Sequence, residues 1–329
     1  MIKSVGVFFM LKIKFIGGFF TMKFYKHLTI IGVDHGYGNI KTANHIFKSG
    51  VLKCNERPYF DKNLLTYKGE YYLISEGHKE FIADKYTDLD YYLLTLAAIA
   101  TELSQRGTTQ AVVHIAAGLP LTWIGQQMES FRDYLLQNKT ADFNFKGTNY
   151  HITISGADIF PQGYSAIASR VSEFTGMNML TDIGNGTMNI MNINNGNPDI
   201  QNCFTEKFGT YQCTLKIKEN MMQKHHTDID ESIITDFLCT GTADVSEDYL
   251  ATMRETAKEY VSEIFRRLRE HNYNPNLMKL HIVGGGGCLI KNFAEYDESR
   301  VYINDDICAT AKGYEYLAEL ILKNRGDKK

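Results

Sequence analysis

The chain has 329 residues, of which 44% are hydrophobic and 22% are charged, and its formal net charge is −3. This length exceeds what one small hydrophobic core requires, so we expect two domains of ordinary globular composition. The near-neutral charge argues against direct binding to nucleic acid or to an anionic membrane through a strong electrostatic field.

The first 22 residues form an apolar stretch that Lys3, Lys12 and Lys14 interrupt. A transmembrane helix needs about 20 predominantly apolar residues. A signal peptide needs a continuous apolar region and a cleavage site with small residues. The stretch matches neither pattern well. We therefore expect residues 1–26 to be an extension, with Met22 as the native start of a cytoplasmic protein that has no membrane anchor.

The six cysteines are scattered along the chain, and no two of them have CxxC spacing. The histidines do not cluster with them. Zinc sites and redox pairs usually show such close spacing in the sequence. We therefore expect free thiols in a reducing compartment.

The first half of the chain mixes strand and helix patterns. Short apolar runs predict strands at 28–33 and at 111–116, and further strands are expected at 40–46, near Val51 and at 71–74. Apolar residues at helical spacing predict helices at 89–106 and 122–137.

The second half continues the mixture, which predicts an α/β fold. We expect strands at 150–155, 179–183, 188–193 and 280–283, and helices at 162–174, 209–224, 246–271 and 304–322. Pro161 suits the first position of a helix, because no N–H is needed there. Asn304 suits the N-cap of the last helix.

One short pattern occurs twice, as DHGYGN at 34–39 and as DIGNGT at 182–187. In both copies an apolar strand ends in aspartate, the chain turns at glycines, and a second strand returns. Glycine turns allow backbone N–H groups to approach a phosphate closely, and a strand-end carboxylate can hold Mg²⁺ through water. One DxGxG pattern alone is more often structural than functional, but two copies predict a pair of facing phosphate-binding hairpins.

The predicted phosphate contacts follow from these hairpins. They are Gly36, Tyr37, Gly38, Asn39, Lys41, Gly184, Asn185, Gly186 and Thr187. Lys41 lies one short strand step beyond the first turn, from which its side chain can reach β- or γ-phosphate oxygens.

Two further features complete the candidate site. The glycine run Gly284, Gly285, Gly286 and Gly287 follows a predicted strand and leaves room for a ribose or a flat ring against the backbone. It does not have the GxGxxG spacing, which disfavours a Rossmann dinucleotide site. Gln162, at the start of a predicted helix, can orient a water molecule beside a γ-phosphate.

These features occur in an order that resembles one nucleotide-binding superfamily. The segments are GVDHGYGNIK (32–41), PQGYSAI (161–167), DIGNGTMNI (182–190) and IVGGGGCLI (282–290). They resemble, in turn, the first phosphate motif, the connecting helix, the second phosphate motif and the adenosine motif of actin, sugar kinases and heat-shock chaperones. The resemblance spans about residues 28–322. The closing segment INDDICATAKGYEYL, with Gly313 in the place of a small residue, is similar to the C-terminal helix of the ParM/StbA plasmid-segregation group.

The resemblance implies an actin-like, ribonuclease H-like α/β fold with a nucleotide cleft between two domains. Domain I would comprise residues 27–160 together with the C-terminal helix 305–322, and domain II would comprise residues 161–304. ATP and Mg²⁺ would bind in the cleft.

The resemblance also implies roles for single residues. Asp34 and Asp182 match the two acids associated with Mg²⁺, and Lys41 matches the lysine that contacts phosphate. Gln162 matches a position that is glutamine in actin and glutamate in many bacterial relatives. A neutral amide aligns water but accepts its proton poorly, so the general-base role stays open.

A weaker correspondence concerns the helix after Gly209. There Lys216 and Glu219 are expected to flank the adenine or the ribose.

From this resemblance we expect an actin-like ATPase that assembles into ATP-dependent filaments and moves or positions DNA, with hydrolysis as the timer for disassembly. Its partners would be further copies of the chain and a DNA-binding adaptor protein, without direct contact with nucleic acid or membrane. Two alternatives stay open. A small-molecule kinase would need a further acid in the cleft, and a cell-shape or pilus-assembly scaffold ATPase would need a membrane-binding helix. The preference for ATP or GTP also stays open.

Overall fold

The computed structural model describes residues 14–15, 18–19, 23–76 and 88–326. The predicted start at Met22 lies outside these residues, as does most of the predicted extension 1–26.

The described residues form the following elements. In chain order the strands are β1 (Lys14–Phe15), β2 (Gly18–Phe19), β3 (Lys23–Tyr25), β4 (Leu28–His35), β5 (Asn39–Lys41), β6 (Ile46–Lys48), β7 (Val51–Cys54), β8 (Leu64–Tyr67), β9 (Glu70–Ile74), β10 (Gln110–Leu119), β11 (Thr140–Phe145), β12 (Thr148–Pro161), β13 (Met177–Ile183), β14 (Met188–Asn194), β15 (Asn197–Glu206), β16 (Lys279–Val283) and β17 (Val301–Ile303). The helices are α1 (Asp90–Ser104), α2 (Ile124–Leu135), α3 (Tyr164–Ile167), α4 (Thr210–His225), α5 (Glu231–Thr240), α6 (Glu247–Glu270), α7 (Gly287–Phe293) and α8 (Ala309–Gly326), and a 3₁₀-helix spans Val171–Glu173.

The larger sheet has ten strands, with the order β6-β5-β4-β10-β12-β11-β8-β9-β7 and with β3 paired to β4. Strands β4, β5 and β6 form an antiparallel meander. Strand β10 runs parallel to β4, and β12 runs parallel to β10. Because β3 pairs with β4, residues 23–25 of the predicted extension are part of this sheet.

The smaller sheet has five strands in the order β15-β14-β13-β16-β17. Its strands β13, β14 and β15 form an antiparallel meander, and β13, β16 and β17 run parallel. Both sheets therefore repeat one arrangement, in which the first strand of a meander is followed across the sheet by two parallel strands. Asp34 is the second-last residue of β4, and Asp182 is the second-last residue of β13. The repeated sequence pattern thus corresponds to a structural repeat.

Each sheet has its own hydrophobic core. On the larger sheet, helix α1 is buried at every position from Tyr91 to Ala100, because its residues are apolar or small around the whole helix. On the smaller sheet, helix α6 is amphipathic. Its buried stripe includes Leu250, Met253, Ala257, Tyr260, Ile264 and Leu268.

Helix α8 is last in the sequence but packs on the larger sheet. Its Tyr314 belongs to a small core with Ile30 of β4, and Glu315 Oε1 accepts a hydrogen bond from the Gly32 N–H at 3.1 Å. A Cβ atom at Gly313 would lie 1.8 Å from the Ser165 carbonyl oxygen. Glycine at this position therefore allows α8 to touch α3, which follows the predicted site residue Gln162.

Most of the predicted elements are confirmed, with shifted ends. The confirmed strands are those at 28–33, near Val51, at 71–74, 111–116, 150–155, 179–183, 188–193 and 280–283, and the confirmed helices are those at 89–106, 122–137, 209–224 and 246–271.

The prediction of one strand at 40–46 is wrong. Strand β5 ends at Lys41, and the chain turns before β6. In that turn the Thr42 N–H donates to the His45 carbonyl at 2.9 Å, and the buried Glu102 carboxylate accepts from the Asn44 N–H at 3.1 Å. The contact with the buried Glu102 therefore interrupts the segment that was predicted as one strand.

The predicted helix at 162–174 is also wrong. Strand β12 continues to Pro161, which pairs with Leu119. Gly163 then has a φ of 76°, a left-handed conformation that favours glycine and that a helix does not allow. The short α3 and the 3₁₀-helix at Val171–Glu173 follow in place of one continuous helix. Gln162 therefore lies in a turn rather than at a helix start.

The last helix begins five residues later than predicted, at Ala309 rather than at Asn304. The side chain of Asn304 accepts from the Asp306 N–H, and the side chain of Asp306 accepts from the Cys308 N–H, both at 3.0 Å. The first of these two Asx turns occupies the side chain of Asn304, which was predicted to cap the helix.

Candidate functional site

The turns after β4 and β13 face each other across a cavity of about 220 Å³ between the two sheets. A Cβ atom at Gly38 in the first turn would lie 2.7 Å from the Asn185 side chain in the second turn. This contact is possible because glycine has no side chain. The two hairpins are thus brought together, as the repeated sequence pattern predicts.

Backbone hydrogen bonds hold both turns in place. The Ser49 N–H donates to the Gly38 carbonyl at 3.2 Å, and the Ser49 hydroxyl donates to the Tyr37 carbonyl. At the second turn, the Thr210 N–H at the start of α4 donates to the Gly184 carbonyl at 3.0 Å. The loop geometry is therefore set by the protein itself, which favours a preorganised binding site.

Two buried carboxylates share this cavity. Asp34 is 6% exposed and Asp182 is 9% exposed. Lys41 Nζ lies 3.7 Å from Asp34 Oδ2. When Asp34 and Asp182 are both ionised, Lys41 neutralises only one of the two negative charges, so a cation placed between the two carboxylates would be stabilised.

The electrostatics of Asp182 support this interpretation. Burial, followed by the nearby Asp34 carboxylate, raises the pKa of Asp182 to about 7, although Lys41 and a hydrogen bond from Asn189 act in the opposite direction. Ionised Asp182 is therefore disfavoured where it stands, and a strongly shifted carboxylate in a cleft is typical of functional sites.

Gln162 lies beside this acid pair. It is 8% exposed, and its Nε2 donates to Asp34 Oδ1 at 3.1 Å. Its own N–H donates to the Leu119 carbonyl at 2.9 Å, which fixes the backbone. Gln162 therefore lies in the cavity, as predicted, although it follows a strand end and lies in a turn rather than at the start of a helix.

The glycine run divides into two roles. Only Gly285 lines the cavity, and a Cβ atom there would meet nothing within 4 Å. At Gly286 a Cβ would lie 2.2 Å from the Ile183 side chain, and at Gly284 it would lie 2.4 Å from Asp182 Oδ1. At Gly287 it would lie 2.9 Å from a neighbouring isoleucine. Three of the four glycines thus allow close packing against other residues, rather than forming the cavity surface.

Lys216 and Glu219 are not among the residues that line the cavity. Lys216 is exposed and pairs with Glu259 of α6 at 3.9 Å. Glu219 is exposed and accepts from Gln223 Nε2 at 3.1 Å. The phase of α4 explains this result, since its cavity-facing residues are Thr210 and Thr214, one turn apart.

The other predicted site residues do line the cavity. They are Asp34, Gly36, Tyr37, Gly38, Asn39, Lys41, Gln162, Asp182, Gly184, Asn185, Gly186 and Thr187. Further residues line the cavity without having been predicted, namely His35, Ile46, Asn189, Thr210, Thr214, Thr235, Leu238, Cys239, Cys288, Leu289 and Ile307. Several of these come from α5, which was not predicted.

His35 has a structural part in the site. It is fully buried, its Nε2 lies 2.7 Å from the Thr95 hydroxyl, and its ring contacts Tyr91 and Phe131 edge-on. These contacts fix the end of β4 and therefore the position of Asp34, the preceding residue.

The chemistry of the cavity fits a phosphorylated ligand with a divalent cation. Glycine turns, one lysine and an amide surround two carboxylates. The described residues contain no group of three or more histidine, cysteine or acidic side chains that could hold a metal ion. A cation here would depend on Asp34 and Asp182, with water or phosphate oxygens as its remaining ligands, which suits Mg²⁺.

Within the part of the chain that the structure describes, no helix combines the length and the apolar character that a membrane span requires.

Comparison with known proteins identifies the fold. Residues 32–164 match the family model of the actin-like proteins N-terminal domain. No curated protein sequence matches the chain. One similar solved structure is an archaeal actin homologue in complex with ADP, with 18% identity and a TM-score of 0.71, over 88% of this chain and 99% of that chain.

Two further solved structures are similar. Bacillus thuringiensis ParM with ATP has 13% identity and a TM-score of 0.65, over 91% of this chain and 100% of that chain. The Alp12 filament structure has 16% identity and a TM-score of 0.63, over 89% of this chain and 98% of that chain. The resemblance and the actin-like α/β fold predicted from the sequence are therefore confirmed.

Proposed function

We propose that this actin-like chain is an ATPase that assembles into nucleotide-dependent filaments, and that these filaments move or position DNA, as in plasmid segregation. One observation carries the proposal. The strand-end acids Asp34 and Asp182 and their glycine turns, from two repeated sheets, meet at one cavity. The proposal is further supported by the similar structures, since one contains ADP, one contains ATP and one is a filament.

The phosphates of the nucleotide would lie between the two turns. Backbone N–H groups at the turns around Gly38 and Gly186 would contact phosphate oxygens, and Lys41 would add a positive charge. Asp34 and Asp182 would hold Mg²⁺, mainly through water. The metal ion would neutralise charge on the β- and γ-phosphate oxygens.

Gln162 would orient the attacking water. Its side-chain Nε2 already donates to Asp34 Oδ1 at 3.1 Å. A neutral amide can align water but accepts its proton poorly. Slow hydrolysis, which suits a timer for filament disassembly, is therefore the expected behaviour.

The nucleoside would lie toward α5 and α7. Gly285 offers open backbone surface, and Leu238 and Leu289 line the same cavity with apolar side chains. Lys216 and Glu219, which line no part of the cavity, have no role in this proposal.

The cleft would lie between domain I, with residues 27–160 and 305–322, and domain II, with residues 161–304. Filament contacts would join copies of the chain in the cytoplasm, and an adaptor protein would bind the DNA, because the net charge of −3 provides no strong attraction to nucleic acid. Among the described residues that line the cavity, Asp34 and Asp182 are the acids. A small-molecule kinase would need another carboxylate to deprotonate its acceptor.

Electron microscopy and phosphate release on the same sample test this proposal. Filaments should form with ATP and Mg²⁺, and not with EDTA or without nucleotide. Asp142→Asn is a matched control, because Asp142 is a 78% exposed aspartate on strand β11 that does not line the cavity, and it should leave both readouts unchanged. Phosphate transfer to an added small molecule, with no filaments under any condition, would contradict the proposal.

A further inference from the structure

Two cysteines that are far apart in the sequence line one wall of the cavity. Cys239 lies near the end of α5, and Cys288 lies in the first turn of α7. Their sequence neighbours Leu238 and Leu289 line the same wall. Cys239 is exposed and Cys288 is half-buried, so both thiols are open to reagents that enter the cavity.

The packing of α5 on α7 holds these cysteines near each other. Asn292 Nδ2 donates to the Leu238 carbonyl at 3.1 Å and to the Cys239 carbonyl at 3.0 Å. Cys288 lies four residues before Asn292 on α7, and residues four apart share one face of a helix. The side chain of Cys288 is therefore on the helix face that contacts the end of α5.

The other four cysteines are in different places. Cys213 and Cys308 are buried, and Cys54 and Cys203 are half-buried. None of these four lines the cavity. Cys239 and Cys288 are thus the two thiols that a bound nucleotide would cover.

We propose that Cys239 and Cys288 form a dithiol modification site, at which a low-molecular-weight disulfide oxidises the pair to an intramolecular disulfide, and that oxidation and nucleotide binding exclude one another. The second part rests on the proposed nucleotide site. A disulfide joining α5 to α7 would fix both helices at the wall where the nucleoside is proposed to lie.

The reaction is a balanced exchange in two steps. One protein thiolate attacks a sulfur of the small disulfide and releases one small thiol. The second protein thiolate attacks the protein sulfur of this mixed disulfide and releases the other small thiol. The protein loses two electrons and two protons, and the small disulfide is reduced to two thiols.

The reaction should accelerate as the pH rises. Burial, followed by the nearby Cys288 and Asp236 side chains, raises the pKa of the Cys239 thiol. The thiolate is the attacking species, and its fraction at Cys239 grows toward alkaline pH. The exchange should therefore be slow at neutral pH and faster at pH 9.

Peptide mass spectrometry tests the modification itself. Full-length protein is treated with oxidised glutathione, and the remaining thiols are alkylated. A Cys239–Cys288 cross-link should form, should be reversed by dithiothreitol, and should form more slowly with saturating ATP and Mg²⁺. Cys239→Ser and Cys288→Ser should each abolish it, whereas the matched control Cys54→Ser should behave like the wild type. Mixed disulfides without the cross-link would overturn the proposal.

The affinity for a fluorescent ATP analogue tests the exclusion. Oxidised wild type should bind at least ~10-fold more weakly than reduced wild type, which corresponds to about 1.4 kcal/mol. The oxidised Cys54→Ser variant should lose affinity equally, and Cys288→Ser should show no cross-link-dependent loss. A cross-link with unchanged affinity would overturn the exclusion. Reduced protein that binds no nucleotide would contradict the proposed function, while the cross-link would still decide the dithiol site.

Discussion

Replacing Asp182 by asparagine removes the charge of a carboxylate that the fold does not favour in its ionised form. In the folded protein the pKa of Asp182 is raised to about 7, by burial first and then by Asp34, from an ordinary value of 3.8. Each pKa unit corresponds to about 1.36 kcal/mol, so the difference between the two pKa values destabilises the folded protein by about 4 kcal/mol above pH 7. Asp182→Asn should therefore stabilise the protein in the absence of nucleotide and metal.

The sign of the pH dependence follows from proton binding. Between these two pKa values the folded state holds a proton on Asp182 and the unfolded state does not. The free energy of unfolding of the wild type therefore falls as the pH rises through this range. Asp182→Asn has no carboxyl group to titrate at this position and does not lose stability in this way. Its free energy of unfolding should therefore exceed that of the wild type by an amount that grows by about 2 to 3 kcal/mol between pH 5 and pH 8.

Urea unfolding of both proteins at pH 5 and pH 8, without nucleotide and metal, measures this advantage. Asp158→Asn is a matched control with the opposite sign. Burial disfavours ionised Asp158, but His114 and Arg325 outweigh burial and hold its pKa below the usual value. That stability is present above the ordinary pKa and is lost as the pH falls, so Asp158→Asn should destabilise the protein at pH 8. An Asp182→Asn advantage that is absent at pH 8, or equal at both pH values, would refute the reasoning.

Three further predictions concern the cavity and the glycine run beside it. Gln162→Ala should lower the rate of phosphate release by ~10²-fold or more with little change in nucleotide affinity, and its filaments should be long-lived. Normal phosphate release would show that Gln162 does not orient the attacking water. Lys41→Met should weaken ATP binding by about 10- to 100-fold, because a hydrogen bond to a charged group is worth about 1.5–3 kcal/mol. Titration calorimetry would measure the affinity, and an unchanged affinity would argue against a contact between Lys41 and phosphate. Gly286→Ala should cost about 1–3 kcal/mol of unfolding free energy through overpacking, since its Cβ would lie 2.2 Å from the Ile183 side chain. Gly285→Ala should leave stability nearly unchanged in the same urea assay, and equal losses in both variants would contradict the division of the glycine run.

The meeting of the two glycine turns at one cavity could be predicted from the sequence because its signals are local. An aspartate at the end of an apolar strand, followed by glycines and a returning strand, is visible within six residues at 34–39 and again at 182–187. The repeat then predicts that the two turns occupy equivalent places. The structure bears this out, since Asp34 and Asp182 are each the second-last residue of the first strand of a meander.

The remaining parts depend on contacts that no local pattern reveals. The helix predicted after Pro161 is prevented by the left-handed turn at Gly163, whose φ is 76°. The prediction that Lys216 contacts the nucleoside required knowing which face of α4 points toward the cavity. The pairing of Lys216 with Glu259 of α6 shows that its side chain lies on another face. The thiol pair on α5 and α7 is brought together by packing alone, with no spacing signal in the sequence.

Light scattering of the purified protein, with phosphate release recorded on the same sample, tests the central claim most directly. Scattering should rise when ATP and Mg²⁺ are added together, and it should fall again as phosphate is released and ATP is exhausted. Neither Mg²⁺ alone nor ATP with EDTA should raise it. Flat scattering in the presence of bound ATP, or a rise that is independent of nucleotide, would contradict an ATP-dependent filament.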